Sequence, residues 1–131
     1  MNRRFALAAA LVLAPTLVRA QAADKRKRGG GESFLQLDTL TATVMRAAGR
    51  RGVMTVEAGV DVPDPALRLR AQQSIPRLQA AYAQMLETYA AGLQPGGLPN
   101  ADYLSRELQR QTDMVLGRPG AVFLLGTILV N

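Results

Sequence analysis

Between residues 66 and 91 the apolar side chains recur at the spacing of one helix face. Leu78, Tyr82, Met85, Leu86 and Tyr89 stand at i, i+4, i+7, i+8 and i+11, and Leu67, Ala71 and Ile75 carry the stripe backwards. Pro63, Asp64 and Pro65 open this helix, with Asp64 placed to cap free amides and Pro65 tolerated at the first helical position. Pro76 lies inside the stripe, where it lacks a donor and crowds the preceding turn; a kink or break is expected between Gln73 and Ile75.

Upstream, residues 52–62 alternate. Val56, Ala58, Val60 and Val62 make one apolar face, and Thr55, Glu57, Gly59 and Asp61 make a wet one, as in a half-buried strand. Residues 34–46 also have strand composition, but Leu35 and Leu37 share one phase while Leu40, Ala42 and Val44 share the other. That change predicts a bulge or bend near Asp38. Gly49, Arg50, Arg51 and Gly52 read as the turn of an antiparallel hairpin, with the arginine pair at a solvated tip.

Downstream, Gly92 ends the helix, and the Pro- and Gly-rich residues 94–99 form a loop. Asn100 then caps a second helix over residues 101–116, with Leu104, Leu108, Gln111 or Thr112, and Val115 on one face. After the turn at Gly117, Arg118, Pro119 and Gly120, residues 121–130 are uncharged and rich in Val, Leu and Ile. Such a run predicts a strand buried on both faces in the middle of the sheet. The expected fold is α+β: a small antiparallel sheet packed by a long kinked helix and a shorter one, in the order β-β-α-α-β.

Composition narrows the chemistry. With 48% hydrophobic residues, 5% aromatic and no Trp, the core is built from Leu, Val, Ala and Met. The chain has neither Cys nor His, which removes disulfides, thiol catalysis, the usual base of nucleophilic triads and the common zinc ligands. No catalytic, cofactor-binding or metal-binding set is expected. The only raw material for acid–base chemistry is carboxylate: Asp61, Asp64, Asp102, Glu107 and Asp113, at turns, caps and wet helix faces. Tyr82 and Tyr89, seven apart on the stripe, read as core packing in preference to a ligand box.

The formal charge of +6 is unevenly placed. Arg3, Arg4 and Arg19 lie at the start, and Lys25, Arg26, Lys27 and Arg28 form one run; from Phe34 onward nine arginines face eight acids. A nearly neutral folded part argues against a nucleic-acid partner. Residues 1–22 carry the three parts of an export signal: Arg3 and Arg4, an apolar run from Phe5 to Val18, and small residues Ala20 and Ala22. The run contains Pro15 and is shorter than the roughly 20 residues a spanning helix needs. Cleavage after Ala22 or Ala20 and release to the periplasm are expected; an uncleaved leader anchored in the inner membrane is the alternative. The arginine pair with Phe5 and Leu7 approaches a twin-arginine motif but lacks the residue usual between the second Arg and the Phe, so the route stays open. Residues 23–33, basic and Gly-rich, read as a flexible tether before a domain at 34–131. Lys25, Arg26, Lys27 and Arg28 are the candidate contact to an anionic lipid surface, at about 1 kcal/mol per basic residue near a membrane.

Over residues 34–131 several details fall in one order: Ile75, Pro76, Arg77 and Leu78 at the helix break, Leu93 and Leu98 after the helix, Leu104, Glu107, Leu108 and Leu116 in the second helix, and a closing hydrophobic run ending in Val130 and Asn131. In that order the chain resembles the periplasmic domain of the FliL family of flagellar basal-body proteins. It departs from the family where the last strand usually carries two Phe around a Thr and ends in Gln; here Leu125, Gly126, Ile128 and Asn131 stand. Its leader is also shorter than the family's membrane anchor. The resemblance implies a stomatin-like αβ domain that forms rings around the stator of the flagellar motor and influences torque, with no catalytic residues. Flagellar stator or basal-body proteins and a homo-oligomer are the partners it implies. Arg68, Arg70 and Arg77 along the helix are the candidate partner contacts, since arginine pairs well with carboxylates at an interface.

Overall fold

The computed structural model describes residues 31–131. The expected leader, the cleavage positions and the basic run Lys25 to Arg28 lie outside the described residues. The chain divides into Met1–Glu32 and Ser33–Asn131. The second unit starts one residue before the expected Phe34, because the Ser33 carbonyl accepts from Val62 N–H and its hydroxyl donates to Asp61 at 2.5 Å.

This unit is α+β. Strands β1 (Phe34–Gln36), β2 (Leu40–Met45) and β3 (Arg51–Asp61) precede helices α1 (Pro65–Gln73), α2 (Ile75–Gly92) and α3 (Ala101–Leu116), and β4 (Val122–Val130) closes it. Every strand pairing is antiparallel to β3. β4 pairs β3 over the stretches that also pair β1 and β2, so β1 and β2 lie end to end along one edge of β3 and β4 along the other.

The expected bend near Asp38 is a one-residue shift between β1 and β2. Leu35 faces Val60 and Leu37 donates to the Ala58 carbonyl, but Leu40 faces Val56, so Asp38 and Thr39 together stand against Glu57. The extra residue keeps Leu35, Leu37 and Leu40 on one face. β4 shifts register at the same level, between Val56 and Ala58, which sets Gly126 and Thr127 against Glu57. A Cβ on Gly126 would lie 3.0 Å from the Glu57 Cβ, so this bulge has no room for a larger residue without movement.

Two expectations need correcting. The hairpin turn falls earlier than Gly49 to Gly52: Gly49 N–H bonds the Arg46 carbonyl, Arg46 N–H bonds the Arg50 carbonyl, and Arg51 and Gly52 already belong to β3. Gly49 at φ +73° supplies the left-handed residue that a three-residue loop requires. The closing strand is also not central. Among the described strands β4 pairs only β3, and Val122, Leu124, Leu129 and Val130 are exposed. Apolar composition suits a buried strand, yet β3 already fills both its edges, and the helices cover only one face.

That covered face holds the core. Leu40, Ala42 and Val44 of β2, Met54, Val56, Ala58 and Val60 of β3 and Phe123 of β4 are buried beneath Leu78, Tyr82, Leu86 and Ala90 of α2 and Leu104, Leu108 and Leu116 of α3. α2 packs over β2 and α3 over β4. Each fully buried Leu, Val or Met contributes roughly 1.5–3 kcal/mol. The Tyr82 ring meets Phe123 edge-on, with centroids 5.2 Å apart, and its hydroxyl bonds Thr112 Oγ1, which donates to the Leu108 carbonyl. Burial pushes the Tyr82 phenol up to about 12, partly offset by the Thr112 bond and reinforced by the Asp113 charge.

The helix ends follow their local chemistry. Asp64 accepts from Leu67 N–H at 2.8 Å and Asn100 from Tyr103 N–H at 3.1 Å. The break expected between Gln73 and Ile75 falls at Ser74, whose N–H turns back to the Ala71 carbonyl while α2 restarts with Pro76 in its first turn.

Candidate interaction surfaces

Because helices pack on one face of the sheet, the side chains of alternate strand positions form a second face. Register places Thr43 beside Val53, Thr41 beside Thr55 and Leu129, Leu124 beside Gly59, and Val122 beside Asp61. Val53 is 45% and Leu129 54% exposed, so apolar groups on this face meet solvent among threonines and Glu57. Phe34 folds over Gly59, where a Cβ would lie 2.2 Å from its ring. Exposed apolar side chains mark a contact surface where they join into one patch rimmed by polar groups.

The outer edge of β4 adds backbone groups to the same region. Val53 and Asn131 exchange both N–H···O bonds at 3.0 Å, and in an antiparallel ladder such bonded pairs alternate with unbonded ones. Ile128 and Val130 therefore turn N–H and C=O away from β3. At the other end, Gln109 of α3 accepts from Phe123 N–H and donates to the Ala121 carbonyl, both at 2.8 Å, so its amide stands where a neighbouring strand would. Leu125, two residues after Phe123, shares that outward direction.

A groove of about 840 Å³ runs between α2 and α3, lined by Gln84, Met85, Thr88, Tyr89, Tyr103 and Glu107 among others. Tyr89 and Tyr103 stack with centroids 5.6 Å apart, and the Tyr89 hydroxyl accepts from Asn100 N–H at 2.7 Å. Tyr82 is core as expected, whereas Tyr89 is half-buried on the groove wall.

The three arginines singled out in the sequence have different duties. Arg68 donates to the Val62 and Pro63 carbonyls at 3.0 and 2.9 Å, fastening α1 to the end of β3. Arg70 donates to the Leu116 carbonyl at 3.1 Å, where the C-terminus of α3 favours a cation. Arg77 is exposed and has no hydrogen bond or ion pair among the described residues. Of the acids, Asp64 caps α1 and pairs with Arg118 at 3.0 Å, Asp61 accepts from Ser33, Asp113 accepts from Gln109 at 3.0 Å, and Glu107 lies 3.6 Å from Arg110. Asp102 sits in the first turn of α3. Among the described residues no three acids gather as metal ligands would.

Gln109 and Tyr103 did not stand out in the sequence. Gln109 matters through a contact to a strand twelve residues away, and Tyr103 through the relative rotation of two helices. No protein-family model matches the chain, and no curated protein and no solved structure matches it.

Proposed function

We propose that this chain is an exported, non-enzymatic adaptor resembling the FliL family, working by protein contact near the inner membrane and tuning flagellar motility. The observation that carries a binding role is the exposed apolar face of the sheet together with the open edge of β4. Ordinary surface chemistry would place charge there, and between Val122 and Asn131 there is none. The order of elements, with Ile75, Pro76, Arg77 and Leu78 at the break between α1 and α2, supports the flagellar reading. Stator or basal-body proteins are the proposed partners, and Arg77, whose guanidinium is not engaged within the fold, is the arginine best placed to meet a partner carboxylate.

The test compares torque and swim speed in a deletion strain, in that strain carrying the wild-type gene, and in one carrying Arg77→Glu. The expected result is assembled flagella with reduced torque in the deletion strain and partial restoration by the variant. Unchanged motility of the deletion strain under high load overturns the flagellar reading. Full restoration by Arg77→Glu dismisses only that contact.

A further inference from the structure

We infer that β4 pairs, along residues 125–130, with the same strand of a second copy, antiparallel about a two-fold axis. The inference rests on the binding role proposed above, and names one partner for the sheet edge. The outward backbone row of β4 is Ala121, Phe123, Leu125, Ile128 and Val130. Gln109 already bonds the Ala121 carbonyl and the Phe123 N–H, as a strand neighbour would. Leu125, Ile128 and Val130 have no such partner among the described residues, and each leaves a donor and an acceptor to solvent.

The chemistry of the strand selects its occupant. An uncharged edge offers no charge by which to choose a charged peptide; it fits another extended apolar strand. β1, β2 and β4 all pair only β3 among the described strands and all lack charge, but β4 is the longest of the three. Isologous pairing of β4 satisfies two open edges with one set of bonds. In the paired form the exposed Leu124, Leu129 and Val53 of both copies join into one apolar band on the outer face. Leu125, Ile128 and Val130 gain cover on the other. Gln109 limits the pairing, since its amide blocks the row before Leu125.

Size sets the strength. Six residues of strand span roughly 20 Å, less than is needed for the ~800 Å² per partner of a stable complex. The dimer is therefore weak and concentration-dependent.

The test uses the Ser33–Asn131 unit, which holds the buried core of the described residues, at concentrations from about 1 µM to 1 mM. Sedimentation equilibrium is expected to show a monomer–dimer equilibrium in that range. Amide exchange of Leu125, Ile128 and Val130 is expected to slow at least tenfold at the high end, while Leu129, bonded to Thr55, stays protected throughout. Ile128→Pro, which deletes one outward donor, and Leu129→Lys, which adds a charge at an exposed position, are each expected to weaken dimerisation at least tenfold. If Ile128→Pro fails to fold, Leu129→Lys decides. A monomer at 1 mM overturns the inference, as does a dimer that Leu129→Lys leaves unchanged. Protection of Leu125, Ile128 and Val130 that does not vary with concentration also overturns it. These results are independent of motility, so self-pairing and the flagellar reading fail separately.

Discussion

β3 and β4 invert what their compositions suggest. β3 alternates, carries Arg51, Glu57 and Asp61, and lies in the middle of the sheet; β4 is uncharged and lies at its edge. Met54 and Val130 stand directly opposite each other on the same face, yet Met54 is wholly buried and Val130 is 40% exposed. A strand's place follows from how many neighbours its backbone has, and the alternation of β3 records a sheet with helices on one side only. Val122, Leu124, Leu129 and Val130 of β4 therefore lie at the surface, while Phe123 belongs to the core.

The comparison breaks first on this pair. Met54→Ala is expected to cost about 2–5 kcal/mol, because atoms packed on every side are lost and the cavity closes incompletely. Val130→Ala should cost less than about 1 kcal/mol. Urea unfolding of the two variants measures the difference, and equal losses would mean that β4 is covered as fully as β3.

The next effect concerns the hydroxyl beneath the helices. The folded Tyr82 phenol, pushed up to about 12 by burial, holds its proton above the ordinary value of 10.0. Its stability is whole below pH 10 and is lost as pH climbs toward 12, a loss approaching roughly 2–3 kcal/mol. Tyr82→Phe is expected to flatten this alkaline decline relative to wild type. Melting temperatures of both proteins at pH 9 and pH 11.5 provide the check.

Caps and strand-end contacts come third. Asn100→Ala and Asp64→Ala should each cost about 1 kcal/mol through the lost amide bond; the half-exposed Asp64–Arg118 pair adds little. Gln109→Ala frees Phe123 N–H and the Ala121 carbonyl on one edge of β4 and should cost a similar amount. The same variant lengthens the open edge, so it should strengthen self-association while weakening the fold. Chemical unfolding and sedimentation read the two opposed effects.

What the sequence revealed followed from local periodicity. Asn100 and Asp64 as caps, the break near Pro76, the alternation from Val56 to Val62 and the phase change at Asp38 each rest on a few neighbouring residues, and each has its counterpart in the fold. The edge position of β4 was illegible because it depends on which strands claim β3, a long-range matter that composition does not encode. The candidate surface was hidden for the same reason. Arg68 and Arg70, candidate partner contacts in the sequence, instead bond carbonyls in the loop after β3 and at the end of α3. Arg70 and Arg77 are both exposed, and of the three only Arg77 has no hydrogen bond among the described residues. The Tyr89–Tyr103 stack needed the rotation of α2 against α3, which a single helix pattern cannot supply.

The smallest expected effect sharpens the comparison most. Leu124 and Leu129 face Gly59 and Thr55 across the ladder, on the side of the sheet without helices. Replacing either by Thr keeps a branched side chain suited to a strand and removes apolar area that already meets water. Folding stability should therefore stay within about 0.5 kcal/mol of wild type. If β4 kept its apolar side chains for the core, the same changes would cost as much as substitutions in β3. The decisive comparison measures each variant twice, by urea midpoint and by sedimentation at the highest concentration. Unchanged midpoints with a lower dimer fraction would assign these leucines to contact between copies, whereas a midpoint loss above about 1 kcal/mol would return them to the fold and remove the distinction between the two strands.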